Sequence, residues 1–147
     1  MTEIVSKREL IVAEFRKRLA DVFPESTIDR GFTDDVVSVF DHFYILDLPE
    51  SCDLSLKHRG MYHCAFPISI SYWIQLSKED SYPTANVLME KIRLAIETDE
   101  RLSNLVISYS LDEGAVVWYD EGILDIELVY VVEYTKDAGW VKNPFTT

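Results

Sequence analysis

Hydrophobic residues recur with a helical period in two segments of the chain. From Glu3 to Phe23 they fall within an arc of about 120° on a helical wheel, and Pro24 ends the segment. A second segment with an arc of similar width begins after Ser81-Tyr82-Pro83, where proline suits a first helical turn, and extends to Ile96. Both segments are predicted to be amphipathic helices that pack one face on a core.

Three residues depart from this helical pattern. Val87 and Leu94, one heptad apart, lie outside the apolar arc of the second helix, so they are either incidental or the place where another chain docks. Arg8 lies in the middle of the apolar arc of the first helix. Its side chain either snorkels to water near the start of the helix, or forms a buried ion pair or a contact to a neighbouring subunit.

Two apolar runs between the helices predict strands. Residues 36–48 carry apolar side chains at both odd- and even-numbered positions, which is typical of a strand covered on two faces or of one that changes face at a bulge. His42 lies within this run and is expected to have a structural role. Residues 66–76 alternate cleanly, and Pro67 indicates an edge or a bulge near the start. Between these runs, residues 49–62 mix turn formers with charges and are predicted to be a long mobile loop.

The last third of the chain predicts an antiparallel meander. Asp112-Glu113-Gly114 and Asp120-Glu121-Gly122 are predicted turns, and the strand after them alternates from Leu124 to Tyr134. The tail, residues 136–147, is either an arm that packs on a neighbour or frayed. The order of elements predicts one α+β domain spanning 1–147, with a mixed, largely antiparallel sheet and two helices packed on one face.

Charge and cysteine content narrow the class of protein. The 147 residues include 14 Lys and Arg against 26 Asp and Glu, so the formal net charge of −12 disfavours binding to nucleic acid. The chain has no stretch of eighteen apolar residues and no signal-peptide core, so we expect a protein made in the cytoplasm, without membrane contact. Cys52 and Cys64 are expected to remain thiols there.

Groups that could support catalysis or bind a metal are poorly placed in the sequence. Cys52, His58, His63 and Cys64 are zinc-type ligands, but adjacent residues of a strand point to opposite faces. The paired acids fall in predicted turns, where they are solvated, and no lysine follows Asp125 and Glu127 to complete a nuclease-like pattern. We therefore predict no catalytic, cofactor-binding or metal-binding residue, and a protein that is not an enzyme.

Several segments resemble a known family in content and order. They are IVAEFRKRLADVFP followed by TIDRG, then FPISISYWIQL, the helix YPTANVLMEKIRLAIETDERLSNL and the closing strand GILDIELVYVVEY. This layout resembles the tail terminator (tail completion, head–tail joining) proteins of long-tailed bacteriophages; residues 49–62 are a departure from it. The resemblance implies a virion protein at the head-proximal end of the tail, assembled in the host cytoplasm.

Such proteins form a hexameric ring that caps the tail tube, stops its polymerisation and presents a surface to the head–tail connector proteins. On this resemblance, the candidate contacts with sister copies are Arg8, Val87 and Leu94, together with Trp140 and Phe145 of the tail. Six copies would carry a formal charge of 6 × −12 = −72, so DNA could pass through the ring without binding to it. The acids expected to face the central hole or the tube are Asp112, Glu113, Asp120 and Glu121.

Four alternatives remain open at the level of sequence, and the first is a generic interaction module of the same fold. Another neck or head-completion joining protein could have a similar layout. An acidic inhibitor that mimics nucleic acid would use the net charge of −12, and should show rows of carboxylates on one face. A small-ligand or hydrolytic enzyme would need a cleft that brings His42, His63 and Asp125 together.

Overall fold

The helices and strands are defined by a computed structural model that describes residues 6–31, 41–54 and 60–137, without the side chains of 113–116 and 137. The described part is an α+β fold with two helices and a six-stranded mixed sheet. In chain order the elements are α1 (Lys7–Val22), β1 (Thr27–Arg30), β2 (His42–Asp47), β3 (Ser51–Leu54), β4 (Met61–Gln75), α2 (Lys78–Ile96), β5 (Ser108–Asp120) and β6 (Ile123–Asp137). The predicted fold class is confirmed.

The sheet is built around the two longest strands. Its order is β1-β2-β4-β6-β5, with β1 and β2 parallel and the other pairs antiparallel. β2 and β3 follow each other along the same edge of β4: β2 ends with Asp47 opposite Ile68, and β3 starts with Ser51 opposite Ala65. Pro67 lies at this interruption, which matches the irregularity expected there.

Part of the predicted loop 49–62 is therefore strand. Residues 51–54 and the first residues of β4 form an antiparallel pair, while 55–59 lie outside the described residues. The prediction of a long loop was wrong because the segment contains few residues with a clear apolar alternation. β3 pairs with the strand that follows it in the chain, and local composition does not reveal this pairing.

One face of the sheet and both helices enclose the core. The even-numbered residues of β6 from Leu124 to Tyr134 are all buried, as their alternation predicts. Phe15 of α1 packs edge-on against Tyr130, with ring centroids 5.7 Å apart. The buried helical residues that complete this core are Ile11, Val12, Leu19, Ala85, Ile92, Ala95 and Ile96.

The helix boundaries differ from the prediction at one end. α1 is capped by Ser6, whose hydroxyl accepts the backbone N–H of Glu9, and it ends at Val22 as Pro24 requires. α2 begins at Lys78 rather than after Pro83, because Ser77 takes the N-cap position and acids follow in the first turn. Pro83 therefore lies inside the helix. Neither described helix is long and apolar enough to span a membrane.

The first predicted Asp-Glu-Gly turn is wrong. β5 continues through Asp112-Glu113-Gly114, and its pairing shifts from Asp112 opposite Val129 to Val116 opposite Glu127. Two extra residues of β5 are thus accommodated as a bulge, and the chain does not reverse direction. The second turn is confirmed: Glu121 (φ +48°) and Gly122 (φ +84°) connect β5 to β6, and positive φ at both positions is typical of a tight hairpin.

The two cysteines are bonded rather than free. Cys52 of β3 and Cys64 of β4 are direct cross-strand partners, with Cα atoms 4.1 Å apart, and they form a disulfide. The expectation of thiols was wrong because it rested on compartment alone. Register on the sheet brings the two side chains together across a separation of twelve residues.

Candidate interaction surfaces

Val87 and Leu94 lie on the solvent side of α2, as their position outside the apolar arc predicts. Their side chains are 67% and 72% exposed, whereas residues on the opposite face of the helix are buried. With Asn86, Glu90 and Lys91 they line an open, mainly apolar depression, which we name the α2 surface. The Lys91 ammonium lies 4.6 Å from the centre of the Phe23 ring, so it is directed towards α1. The core is complete without this surface.

Arg8 is engaged within its own chain. Its guanidinium forms an ion pair with Asp47 (3.0 Å), donates to the carbonyl of Leu48 (2.6 Å) and lies 4.3 Å from the Phe66 ring centre. Burial alone would raise the pKa of Asp47, but hydrogen bonds from Arg8 and Arg30 outweigh it and hold the pKa below its ordinary value. The snorkelling interpretation of Arg8 was therefore wrong, and the ion-pair alternative describes it.

Sequence reasoning missed a second arginine, Arg18. This buried residue of α1 donates to the carbonyl of Ile96 (2.7 Å) and to the hydroxyl of Thr98 (3.0 Å), and it pairs with Asp99 (2.7 Å). A cation there satisfies a terminal carbonyl of α2 and interacts favourably with the negative end of its dipole. The available signal was its position three residues after Phe15, close to the apolar arc of α1.

The face of the sheet opposite the helices carries a row of residues in register, in which His42 of β2 precedes three residues that share a cavity. Trp73 of β4 pairs with Asp125 of β6, and Asp125 pairs with Trp118 of β5. They line an open cavity of about 270 Å³, together with Asp120, Glu121 and Ile123, and we name it the tryptophan slot. Trp118 is 61% exposed, although it is a large apolar residue.

Asp125 has an unusual environment within the tryptophan slot. Its Oδ1 atom is buried without a hydrogen-bond partner, and the same is true of the indole nitrogen of Trp73. Burial, and then the charge of Glu127, raise the pKa of Asp125 to about 6, while the nearby indole N–H of Trp73 lowers it slightly. The slot therefore holds an incompletely solvated carboxyl group, and none of the described residues that line it is a cation. Sequence analysis considered Asp125 only as a metal ligand and did not connect it to either tryptophan.

Of the three residues proposed for an enzyme cleft, His42 and Asp125 are both register partners of Trp73, one on each side of it, and His63 is remote from them. His42 is buried, with its Nε2 atom 2.7 Å from a carboxylate oxygen of Asp29, and its ring stacks on Tyr44. His63 lies ten residues along β4 from Trp73, which is about 33 Å of strand. Its Nε2 atom is 3.7 Å from Glu133.

Metal-type ligands among the described residues meet at one place only. The ligand atoms of Glu50, Cys52 and Cys64 lie within 4.8 Å of one another, but both sulfurs belong to the disulfide, and zinc binds thiolate. His58 lies outside the described residues.

The remaining predicted contact residues are spread over the molecule. Asp120 and Glu121 are exposed at the β5–β6 turn, beside the tryptophan slot. Asp112 is exposed on β5 and lies opposite Val129 of β6, whereas Asp120 lies opposite Ile123. These two partners are six residues, or about 20 Å, apart along β6, so the two acidic pairs are not on adjacent turns. Trp140 and Phe145 of the predicted arm lie outside the described residues, as does the side chain of Glu113.

Some solved structures resemble this chain, although its sequence matches no known family. No family model matches the chain, and no curated protein matches it. A chain of the virion of a native gene transfer agent (GTA) particle is similar, with a TM-score of 0.47 and 14% identity over 85% of this chain and 94% of that one. Similarity at this level does not decide the function.

Proposed function

We propose that this chain is a virion assembly protein of the tail terminator type. In this role it caps the end of the tail tube as a ring of identical copies, stops polymerisation of the tube and presents the surface to which head–tail connector proteins attach. The protein acts through its contacts rather than through catalysis, at the head-proximal end of the tail. The resemblance in the order of segments motivates the proposal, and the exposed residues of α2 are its main physical support.

The α2 surface is the single observation that carries this proposal. Val87 and Leu94 stay largely exposed in a chain that buries more than twenty other apolar side chains. Covering each of them at an interface would contribute roughly 1.5–3 kcal/mol if it were fully buried. A closed ring needs head-to-tail contacts, in which this surface meets a different surface of the next copy.

The charge of the molecule suits a ring around DNA. A net charge of −12 on each copy disfavours adhesion of a phosphate backbone to the ring. Asp120 and Glu121 at the β5–β6 turn are exposed acids, and they remain candidates for a loop that faces the hole or the tube.

Other assembly roles make similar demands, so the alternatives need separate tests. A neck or head-completion joining protein would also assemble through exposed apolar surfaces, but its loss would leave the length of the tail tube unchanged. An acidic mimic of nucleic acid is supported less well, because Val129 and Val131 interrupt the carboxylates along the outward face of β6. A mimic would form a complex with basic nucleic-acid-binding proteins in a mixing experiment.

The test combines α2 variants with a measurement of mass. Val87→Glu and Leu94→Glu together should leave folding intact, because both residues are exposed, and should abolish ring closure in sedimentation experiments with and without tail tubes. Leu10→Glu, at an exposed apolar position of α1, is the matched control and should assemble normally. Normal assembly by the double variant would reject the α2 surface as an interface. Tubes of regular length in virions that lack the protein would reject the terminator role.

A further inference from the structure

The described residues that line the tryptophan slot carry no positive charge. Three of its six lining residues are acids, Asp120, Glu121 and Asp125, and none is basic. A carboxylate with one buried oxygen that accepts no hydrogen bond, flanked in register by two indole side chains, suits a planar cation that can donate to that oxygen and stack on the rings. A guanidinium group has both properties, whereas an ammonium group donates hydrogen bonds but has no plane that can stack on a ring.

One described arginine is available for such a contact. The side chains of the others donate hydrogen bonds within the chain; these arginines are Arg8, Arg16, Arg18, Arg30 and Arg93. Within the described part of the chain, the side chain of Arg101 makes no hydrogen bond or ion pair, and the residue is exposed. An unpaired, exposed guanidinium can enter an interface without breaking an existing contact.

The backbone around Arg101 is held in one conformation. Its carbonyl accepts hydrogen bonds from the backbone N–H groups of Leu105 (3.0 Å) and Val106 (3.2 Å), and Leu102 is fully buried. Asp99 accepts the backbone N–H of Ser103 (2.8 Å) and pairs with Arg18, which joins the turn to α1. A preorganised turn lowers the entropic cost of an interface.

The slot and Arg101 lie towards opposite ends of the sheet. β5 starts with Ser108 opposite Glu133, seven residues after Arg101, whereas the slot is at the pairing of Trp118 with Asp125. Eight residues of β6, about 27 Å, separate these two pairings. The two groups are therefore placed too far apart to pair within one chain. They are positioned for a head-to-tail contact between two copies, the kind of contact that a closed ring requires.

We propose that the guanidinium of Arg101 inserts into the tryptophan slot of the next copy, where it pairs with Asp125 and stacks against Trp118 and Trp73. This inference rests on the proposed function, because it assigns one contact of the proposed ring. It identifies the partner as a second copy of the same chain.

Variants that reverse the charge at position 101 or at position 125 test the contact, because combining them restores a pair of opposite charges. Arg101→Glu and Asp125→Arg should each weaken self-association by about 30-fold or more, the loss expected when one partner of a desolvated charge pair is removed. A mixture of the two variants should form rings in which they alternate, because both contacts between unlike chains bring opposite charges together, whereas each variant alone brings like charges together. The chain that carries both changes should form rings again, since every contact is restored with its charges exchanged.

Controls keep the outcomes separate. Lys17→Glu makes the same charge change as Arg101→Glu at an exposed position of α1 and should assemble normally. Asp125→Asn, which is nearly isosteric, replaces Asp125→Arg if circular dichroism shows that the latter is unfolded; it should also weaken association. Sedimentation from micromolar to millimolar protein gives the mass of each variant. A wild-type chain that is monomeric throughout would contradict both the ring and this contact. A wild-type ring that Arg101→Glu and Asp125→Asn leave intact, or single variants that fail without rescue by the exchange, would overturn this contact alone.

Discussion

Replacing Asp125 with Asn should stabilise the folded monomer at neutral pH. In the folded chain the pKa of Asp125 is raised from its ordinary value of 3.8 to about 6, mainly because burial disfavours the charged form. That change corresponds to about 3 kcal/mol of destabilisation when the group is ionised. Because Asp125 retains some exposure to solvent, which screens part of this cost, we expect Asp125→Asn to raise the free energy of unfolding by about 1–2 kcal/mol at pH 7.5.

The pH dependence has a definite sign. A carboxyl group with a raised pKa binds its proton more tightly in the folded state, so its contribution favours folding at low pH and is lost as pH rises to about 6. The stability gap between the variant and the wild type should therefore be largest above about pH 7 and fall to about half by pH 5. Lowered pKa values at other sites, such as Asp47 and Asp99, affect both proteins equally and cancel in the difference.

Urea unfolding at low protein concentration measures this gap without a contribution from self-association. Asp112→Asn removes the same charge at an exposed position of the same sheet, so it should change stability by no more than about 0.5 kcal/mol at either pH. A variant at Asp125 that is no more stable than the wild type at pH 7.5 would refute the desolvation argument. A gain in stability that is the same at both pH values would refute it as well, because the effect would then not arise from ionisation.

Two further predictions concern groups that hold the fold together. Cys52→Ser should lower the free energy of unfolding by about 3 kcal/mol, which is the entropic value for a loop of this length. A reducing agent should cause the same loss in the wild type. If reductant leaves the stability of the wild type unchanged, the disulfide does not form. Arg18→Met should cost about 3 kcal/mol or more in urea unfolding, because the little-exposed carboxylate of Glu14 and the terminal carbonyl of Ile96 lose a cationic donor. Arg16→Met, at an exposed position of the same helix, should cost less than 1 kcal/mol, and equal losses for the two variants would contradict the role given to Arg18.

Features with a short-range periodic signal were predictable from the sequence. The 3.6-residue period marks which side of α2 faces the core, so the exposure of Val87 and Leu94 follows from their positions on the wheel. The period of two along β6 predicts the buried set from Leu124 to Tyr134 for the same reason. Both signals are local and repeated several times within one element.

Features that depend on the register between paired strands were not predictable. The tripeptide Asp-Glu-Gly occurs at 112–114 and at 120–122, yet the first is a bulge within β5 and the second ends it. The partner residues on β6 decide between these outcomes, and the tripeptide itself carries no information about them. The disulfide and the tryptophan slot have the same origin. Each becomes visible only when the register places residues of two or three strands side by side.

The most direct test of the central claim is the mass of the purified wild-type protein in solution, measured by sedimentation in the presence and absence of tail tubes. The proposed ring predicts a species of about 102 kDa, six times the 17.0 kDa of one chain, free or bound at tube ends. A protein that stays at the mass of one chain at every concentration and does not bind to tube ends would contradict the proposal that it acts through contacts with its own copies.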